Sequence, residues 1–136
     1  MTFMPYIHFD GTCESAMKFY ADVFGATDLQ LMRYAEAPPE SGMQASDRIM
    51  HSQLSVADHT LMASDYPPGM PAQTQTGLSV MTAPATVAEG KRLFEALLAG
   101  GAQIMPFGPT FWSPGFGMLK DKFGTHWIIG AQQPTA

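Results

Sequence analysis

A chain of 136 residues, 46% hydrophobic and 14% charged, has apolar material for one core or for two small modules sharing one, and leaves much of its surface neutral. Its net charge of −5 leaves no basic footprint and excludes nucleic acid as the main partner; no apolar run is long enough to span a bilayer. The single cysteine, Cys13, excludes an internal disulfide and points to a reducing, cytoplasmic compartment.

The opening "MTFMPYIHFDG" has neither a basic segment nor a long apolar stretch, so no signal peptide is expected there. Within it, "PYIHFDG" predicts a short strand, because Tyr6, His8 and Asp10 alternate with Ile7 and Phe9. "TCESAMKFYADVFGA" predicts a helix burying Phe19, Tyr20, Val23 and Phe24 together with Ala16, capped by Thr12 and ended by Gly25 in the left-handed conformation. "LQLMRYA" reads as a second strand and "EAPPESGMQASD" as a loop. "RIMHSQLSVAD" and "HTLMASD" form a hairpin turning near Ala57 and Asp58.

The proline-rich "YPPGMPAQTQTG" is the best internal boundary. Beyond it the plan repeats. "LSVMTA" is a strand, and "TVAEGKRLFEALLAGG" is a helix with a capping box from Thr86 to Glu89, a face of Val87, Leu93, Phe94, Leu97 and Leu98, and a stop at Gly100 and Gly101. "QIMPFG", "GFGMLKD" and "THWIIGA" supply three more strands. The two helices share Glu14/Glu89, Phe19/Phe94, Ala21/Ala96 and Gly25/Gly100 at one constant offset, which with the repeated element order favours a duplication. The expectation is an α+β fold of two βαβββ modules, residues 1–66 and 77–133 joined by 67–76, within one domain of residues 1–136. The two cupped mixed sheets would turn their concave faces together around a cavity.

This arrangement resembles the vicinal oxygen chelate superfamily of glyoxalases, ring-cleaving dioxygenases and bleomycin-resistance proteins, and within it the PhnB-like branch, often labelled a 3-demethylubiquinone 3-methyltransferase-like domain. The resemblance is carried by "PYIHFDGTCESAMKFYADVFGA", "HSQLSVADHTLMASD", "EGKRLFEALLAGG" and "TFWSPGFGMLKDKFGTHWII". It implies a glyoxalase/bleomycin-resistance-like fold. It does not support the methyltransferase label, since no glycine-rich strand-to-helix turn of the kind that holds a nucleotide cofactor is found. It also implies that the "FGxxxDxFGxxW" pattern forms the last hairpin, with Gly117 and Gly124 serving the backbone, Asp121 the turn, Phe123 and Trp127 the core, and Phe111 and Trp112 bordering the cavity.

Metal-using members of the superfamily hold a divalent ion with His and Glu side chains from four strands, leaving positions open for two substrate oxygens. Here those positions fall near Pro5, on His51, near Gln75 and near Ile128; only His51 is a competent ligand. His8 lies three residues beyond Pro5, and His126 two before Ile128 on the same strand face. His59 belongs to a hairpin tip, Cys13 reads as an inert thiol, and Asp65, Asp121 and Glu89 read as turn or capping residues.

Two functions follow. The first is binding of a small, partly apolar or aromatic molecule by His51, Gln53, Met62, Phe111 and Trp112, without chemistry. The second is a metal-dependent isomerase, lyase or dioxygenase using zinc, nickel, manganese or iron on His51, with His8 or His126 recruited. The resemblance and the neutral surface together imply a homodimer.

Overall fold

The computed structural model describes residues 1–133 and divides into two compact units, residues 1–73 and the chain from Thr74 onward. Each unit runs strand, helix, three strands, and each builds one four-stranded mixed sheet. The α+β reading and the repeated element order are therefore observed.

In the first unit the strands are β1 (Tyr6–Phe9), β2 (Gln30–Arg33), β3 (Ile49–Val56) and β4 (His59–Asp65), in the sheet order β1-β4-β3-β2. The pair β1–β4 is parallel and the others antiparallel. The alternation in β1 sends Ile7 and Phe9 inward and leaves Tyr6 and His8 outside. Ala57 turns the β3–β4 hairpin at a φ of 53°, a left-handed conformation rarely adopted by a residue bearing a Cβ. Beyond β2, two single 3-10 turns, Tyr34–Glu36 and Pro39–Ser41, interrupt the expected loop.

Helix α1 (Cys13–Phe24) buries Cys13, Ala16, Met17, Tyr20 and Val23. The predicted stripe was displaced: Phe19 and Phe24 are only half-buried, because the buried spacing starts at Cys13 and so centres on Met17 and Tyr20. Gly25 ends the helix at a φ of 70°, as expected, but the Thr12 side chain makes no cap bond. The carboxylate of Asp65, from the far end of β4, accepts from Gly11 N at 2.9 Å and Cys13 N at 3.0 Å instead. A long-range acceptor has taken the place of a local cap.

The second unit contains β5 (Val80–Thr82), β6 (Ala102–Gly108), β7 (Phe116–Lys120) and β8 (His126–Gly130), ordered β5-β8-β7-β6, with β5 parallel to β8. Helix α2 (Val87–Leu98) buries Gly90, Leu93, Phe94 and Leu97; Leu98 is half-buried and Val87 exposed, so the apolar face is narrower than predicted. Gly90 is inside because the Phe107 ring occupies the space a Cβ would need, 2.9 Å from its Cζ. Only half of the capping box forms. Thr86 Oγ1 accepts from Glu89 N at 3.1 Å, but the Glu89 carboxylate turns to Arg92. Trp127 is buried as expected, whereas Phe123 is half-buried beside Lys122 Nζ, at a hairpin tip too open to enclose it.

Leu97 is fully enclosed. Leu97→Ala should lower stability by about 3 kcal/mol, from lost transfer energy plus the void. Urea unfolding monitored by circular dichroism would measure it, and Phe19→Ala should cost clearly less.

Candidate functional site

Each helix covers one face of its sheet, so the side chains pointing away from the helix are the ones available to a ligand. In the first unit the register places Met62 between Tyr6 on β1 and Gln53 on β3, and sets Met32 opposite His51. Tyr6 Oη lies 3.0 Å from His51 Nδ1, and His51 Nε2 lies 3.0 Å from Gln53 Oε1. A carbonyl oxygen can only accept, so Nε2 carries a proton, and in the neutral imidazole Tyr6 donates to Nδ1. His8 joins the group with its ring centroid 5.2 Å from that of Tyr6 and 5.6 Å from Tyr66, and its Nδ1 3.4 Å from Ser64 Oγ.

Three of the residues predicted from sequence, His51, Gln53 and Met62, thus share one face. Tyr6 was not among them. Its signal was the period-two alternation with His8, but its nearness to His51 depends on the parallel pairing of β1 with β4, which no local pattern specifies.

The corresponding face of the second unit is apolar. Met81, Ile128, Met118 and Met105 line up across β5, β8, β7 and β6 as successive cross-strand partners. To one side of this row, by the first residue of β7, Phe111 meets Trp112 edge-on at 4.7 Å between centroids, and Trp112 meets Phe116 edge-on at 5.2 Å. Phe111 is 97% exposed and Trp112 47% exposed in the single chain. To the other side of the row, at the last residue of β7, Lys120 pairs with His126 across β7 and β8. Gly130 keeps the floor flat: a Cβ there would stand 3.0 Å from Met81 Cε and 3.4 Å from Phe116 Cδ2.

The donors do not suit a three-ligand metal centre. Both ring nitrogens of His51 already have hydrogen-bond partners. Pro5 precedes β1 and uses its carbonyl to accept from Met62 N at 3.2 Å, and Ile128 lies in the apolar row. Among the described residues, no group of three or more His, Cys, Asp or Glu side chains converges as a metal site would require.

Cys13 is no nucleophile. Burial, foremost, pushes its thiol up to about 12, aided by the nearby Asp65 and Glu14 charges and opposed by a 3.4 Å hydrogen bond with Ser52 Oγ. The folded chain should resist iodoacetamide at pH 8, as followed by mass spectrometry. Above pH 9, the ordinary thiol value, the unfolded chain releases a proton that the folded chain retains. This residue's contribution to stability therefore falls as pH rises past 9, and Cys13→Ala should flatten that part of the stability–pH curve.

Residues 1–130 match the family model described as 3-demethylubiquinone-9 3-methyltransferase. Protein YjdN of Escherichia coli is 36% identical, covering 99% of both chains. The crystal structure of PA1353 from Pseudomonas aeruginosa superimposes with a TM-score of 0.90 at 37% identity, covering 98% of this chain and 99% of that one. The PhnB protein of Bacillus cereus shares the fold at a TM-score of 0.76 and 24% identity, over 97% of this chain and all of its own. No helix among the described residues is long and apolar enough to cross a membrane. With its duplicated strand–helix–three-strand units and its match along nearly the whole length, the chain belongs to the family described as 3-demethylubiquinone-9 3-methyltransferase and has a glyoxalase/bleomycin-resistance-like fold.

Proposed function

We propose that this protein binds a small, partly apolar or aromatic molecule on a helix-free sheet face: that of the first unit offers His51, Gln53 and Met62, and that of the second unit, taken by itself, offers Phe111 and Trp112. The observation that carries the reading is the composition of the second face. A solvated antiparallel sheet face alternates to polar residues, yet this one presents Met81, Met105, Phe116, Met118 and Ile128 in adjoining positions. Methionine and edge-on aromatic rings adapt to varied apolar ligands. On the face of the first unit, the Tyr6–His51–Gln53 chain offers oriented polar contacts of the kind that fix a ligand's pose. Methyl transfer is not part of this proposal, because the sequence offers no glycine-rich turn for a nucleotide cofactor.

A thermal-shift screen of aromatic and amphipathic metabolites and drugs tests it. A ligand at one hundred times its Kd should add about 2.7 kcal/mol and raise Tm by several degrees. Trp112→Ala should weaken that shift for a ligand of the second unit's face, and Gln53→Ala for a ligand of the first unit's. A well-folded protein stabilised by no compound of this class would overturn the reading. Elemental analysis after chelation and reloading addresses the metal-dependent alternative. Stoichiometric zinc, nickel, manganese or iron, lost on His51→Ala, would replace simple binding with metal-dependent chemistry.

We further place the chain in the cytoplasm as a homodimer. The exposed Leu78 and Ile104 and the low charge support burial against a second copy. Light scattering that gives the mass of one chain at micromolar concentration, whatever the salt, would exclude the dimer.

A further inference from the structure

We propose that the helix-free face of the second unit takes an amphipathic monoanion, an aryl or short-chain carboxylate, whose apolar body lies along Phe116, Met118, Ile128 and Met81 and whose carboxylate meets Lys120 beside His126. This assignment rests on the small-molecule reading above and narrows it to a charge type.

The argument begins with the charges of the unit. It has three carboxylate side chains. Glu89 is paired with Arg92 at 2.7 Å and Glu95 with Lys91 at 3.0 Å, both on α2. Asp121 is buried, its oxygens accepting from Phe123 N, Thr125 N and Trp127 Nε1. These carboxylate side chains are thus committed elsewhere, and among the described residues Lys120 has no carboxylate within ion-pair distance.

Lys120 is also in the right place. It follows Phe116 and Met118 in the alternation of β7, with Gly117 and Leu119 buried on the helix side. It therefore stands on the same face as the apolar row, at the opposite end from Phe111, Trp112 and Phe116. The span from Phe116 to Lys120 is about 13 Å, four strand steps of about 3.3 Å. That length matches one ring, a short chain and a carboxylate. The face is apolar along its middle and aromatic at one end, with a cation at the other. A neutral ligand would use only the first two parts, and a dianion would bring more charge than Lys120 answers.

The test uses the full chain and two probes of matched shape, 4-phenylbutyrate and the neutral 4-phenylbutan-1-ol. Affinities come from calorimetry at low salt, and location from ¹³C-methyl spectra of Met81, Met105 and Met118. The carboxylate should bind about fivefold more tightly than the alcohol, the upper range for an exposed ion pair. Lys120→Met should remove that preference and leave alcohol binding in place. Lys120→Arg should keep it, and Lys122→Met, on the neighbouring turn, should change nothing.

Equal binding of the two probes, unaltered by Lys120→Met, would overturn the anion assignment and leave the small-molecule reading standing. Probe shifts confined to methionines other than these three would overturn the location. Binding of neither probe to folded protein would overturn the site altogether. Methyl shifts that follow protein dilution rather than probe would assign the face to a second copy of the chain and overturn the proposal as well.

Discussion

Asp65→Ala should lower the stability of the first unit by about 4–5 kcal/mol. Asp65 is 2% exposed, and its carboxylate accepts three backbone hydrogen bonds: from Gly11 and Cys13 on Oδ1, and from Ile49 on Oδ2 at 2.8 Å. Alanine removes all three and strands Cys13 N and Ile49 N away from water. Charge-assisted bonds contribute about 1.5–3 kcal/mol each, and a stranded buried donor costs about 1–3, but the terms overlap and do not add in full. The same carboxylate joins the turn before α1, the start of β3 and the end of β4, so its loss loosens three elements at once. Asp65→Asn separates shape from charge. Its single carbonyl can serve Gly11 and Cys13 while its amide nitrogen faces the Ile49 donor, so about half the loss should remain. Urea unfolding of both variants measures the effect. A loss below about 1 kcal/mol for Asp65→Ala would show that water or another group satisfies these donors.

Asp65 also marks where the sequence was readable and where it was not. Strand β1, helix α1 and the β3–β4 hairpin follow from local rules: a period of two, a period near four, and a turn flanked by alternating runs. The cap of α1 does not. Thr12 satisfies the local pattern, but the acceptor that the helix uses comes from more than fifty residues away. The stripe of α1 failed for a related reason: which flank of Tyr20 faces the sheet depends on where the helix docks, and Phe19 and Met17 are equally apolar in sequence.

The candidate site divides in the same way. His51 and Gln53 are two residues apart on one strand, so their shared face is a local fact, and their hydrogen bond follows from it. Tyr6 joins them only through the order β1-β4-β3, and the row Met81–Ile128–Met118–Met105 only through β5-β8-β7-β6. A lone methionine or isoleucine on a strand looks like core filler; the sheet order turns four separate residues into one surface. That Lys120 is left without an ion-pair partner was equally hidden, because it depends on where the three carboxylate side chains of the unit bond.

The second unit has its own buried carboxylate, and Asp121→Ala should cost about 4 kcal/mol. Asp121 Oδ1 accepts from Phe123 N at 2.8 Å and Thr125 N at 3.0 Å, and Oδ2 accepts from the Trp127 indole at 2.9 Å. Its backbone closes the same β7–β8 turn, receiving Gly124 N at 3.0 Å and donating to Thr125 O at 2.8 Å, with Gly124 at a φ of 92°. The side chain therefore braces the turn and pins the largest ring of the core. Trp127 is 2% exposed, so in Asp121→Ala its N–H loses an acceptor in a place water does not easily reach. A double-mutant cycle isolates that component. Trp127→Phe alone should cost about 2 kcal/mol, chiefly through lost volume. In the presence of Trp127→Phe, Asp121→Ala should cost about 1 kcal/mol less than in the parent, because no indole donor remains to be stranded. Full additivity within about 0.3 kcal/mol would mean that the indole bond contributes nothing to stability. Asp121→Asn should hold the turn better than alanine, since one oxygen can still serve Phe123 and Thr125. The amide nitrogen would then face the indole N–H, two donors without an acceptor between them, and this contact should account for most of the loss that remains.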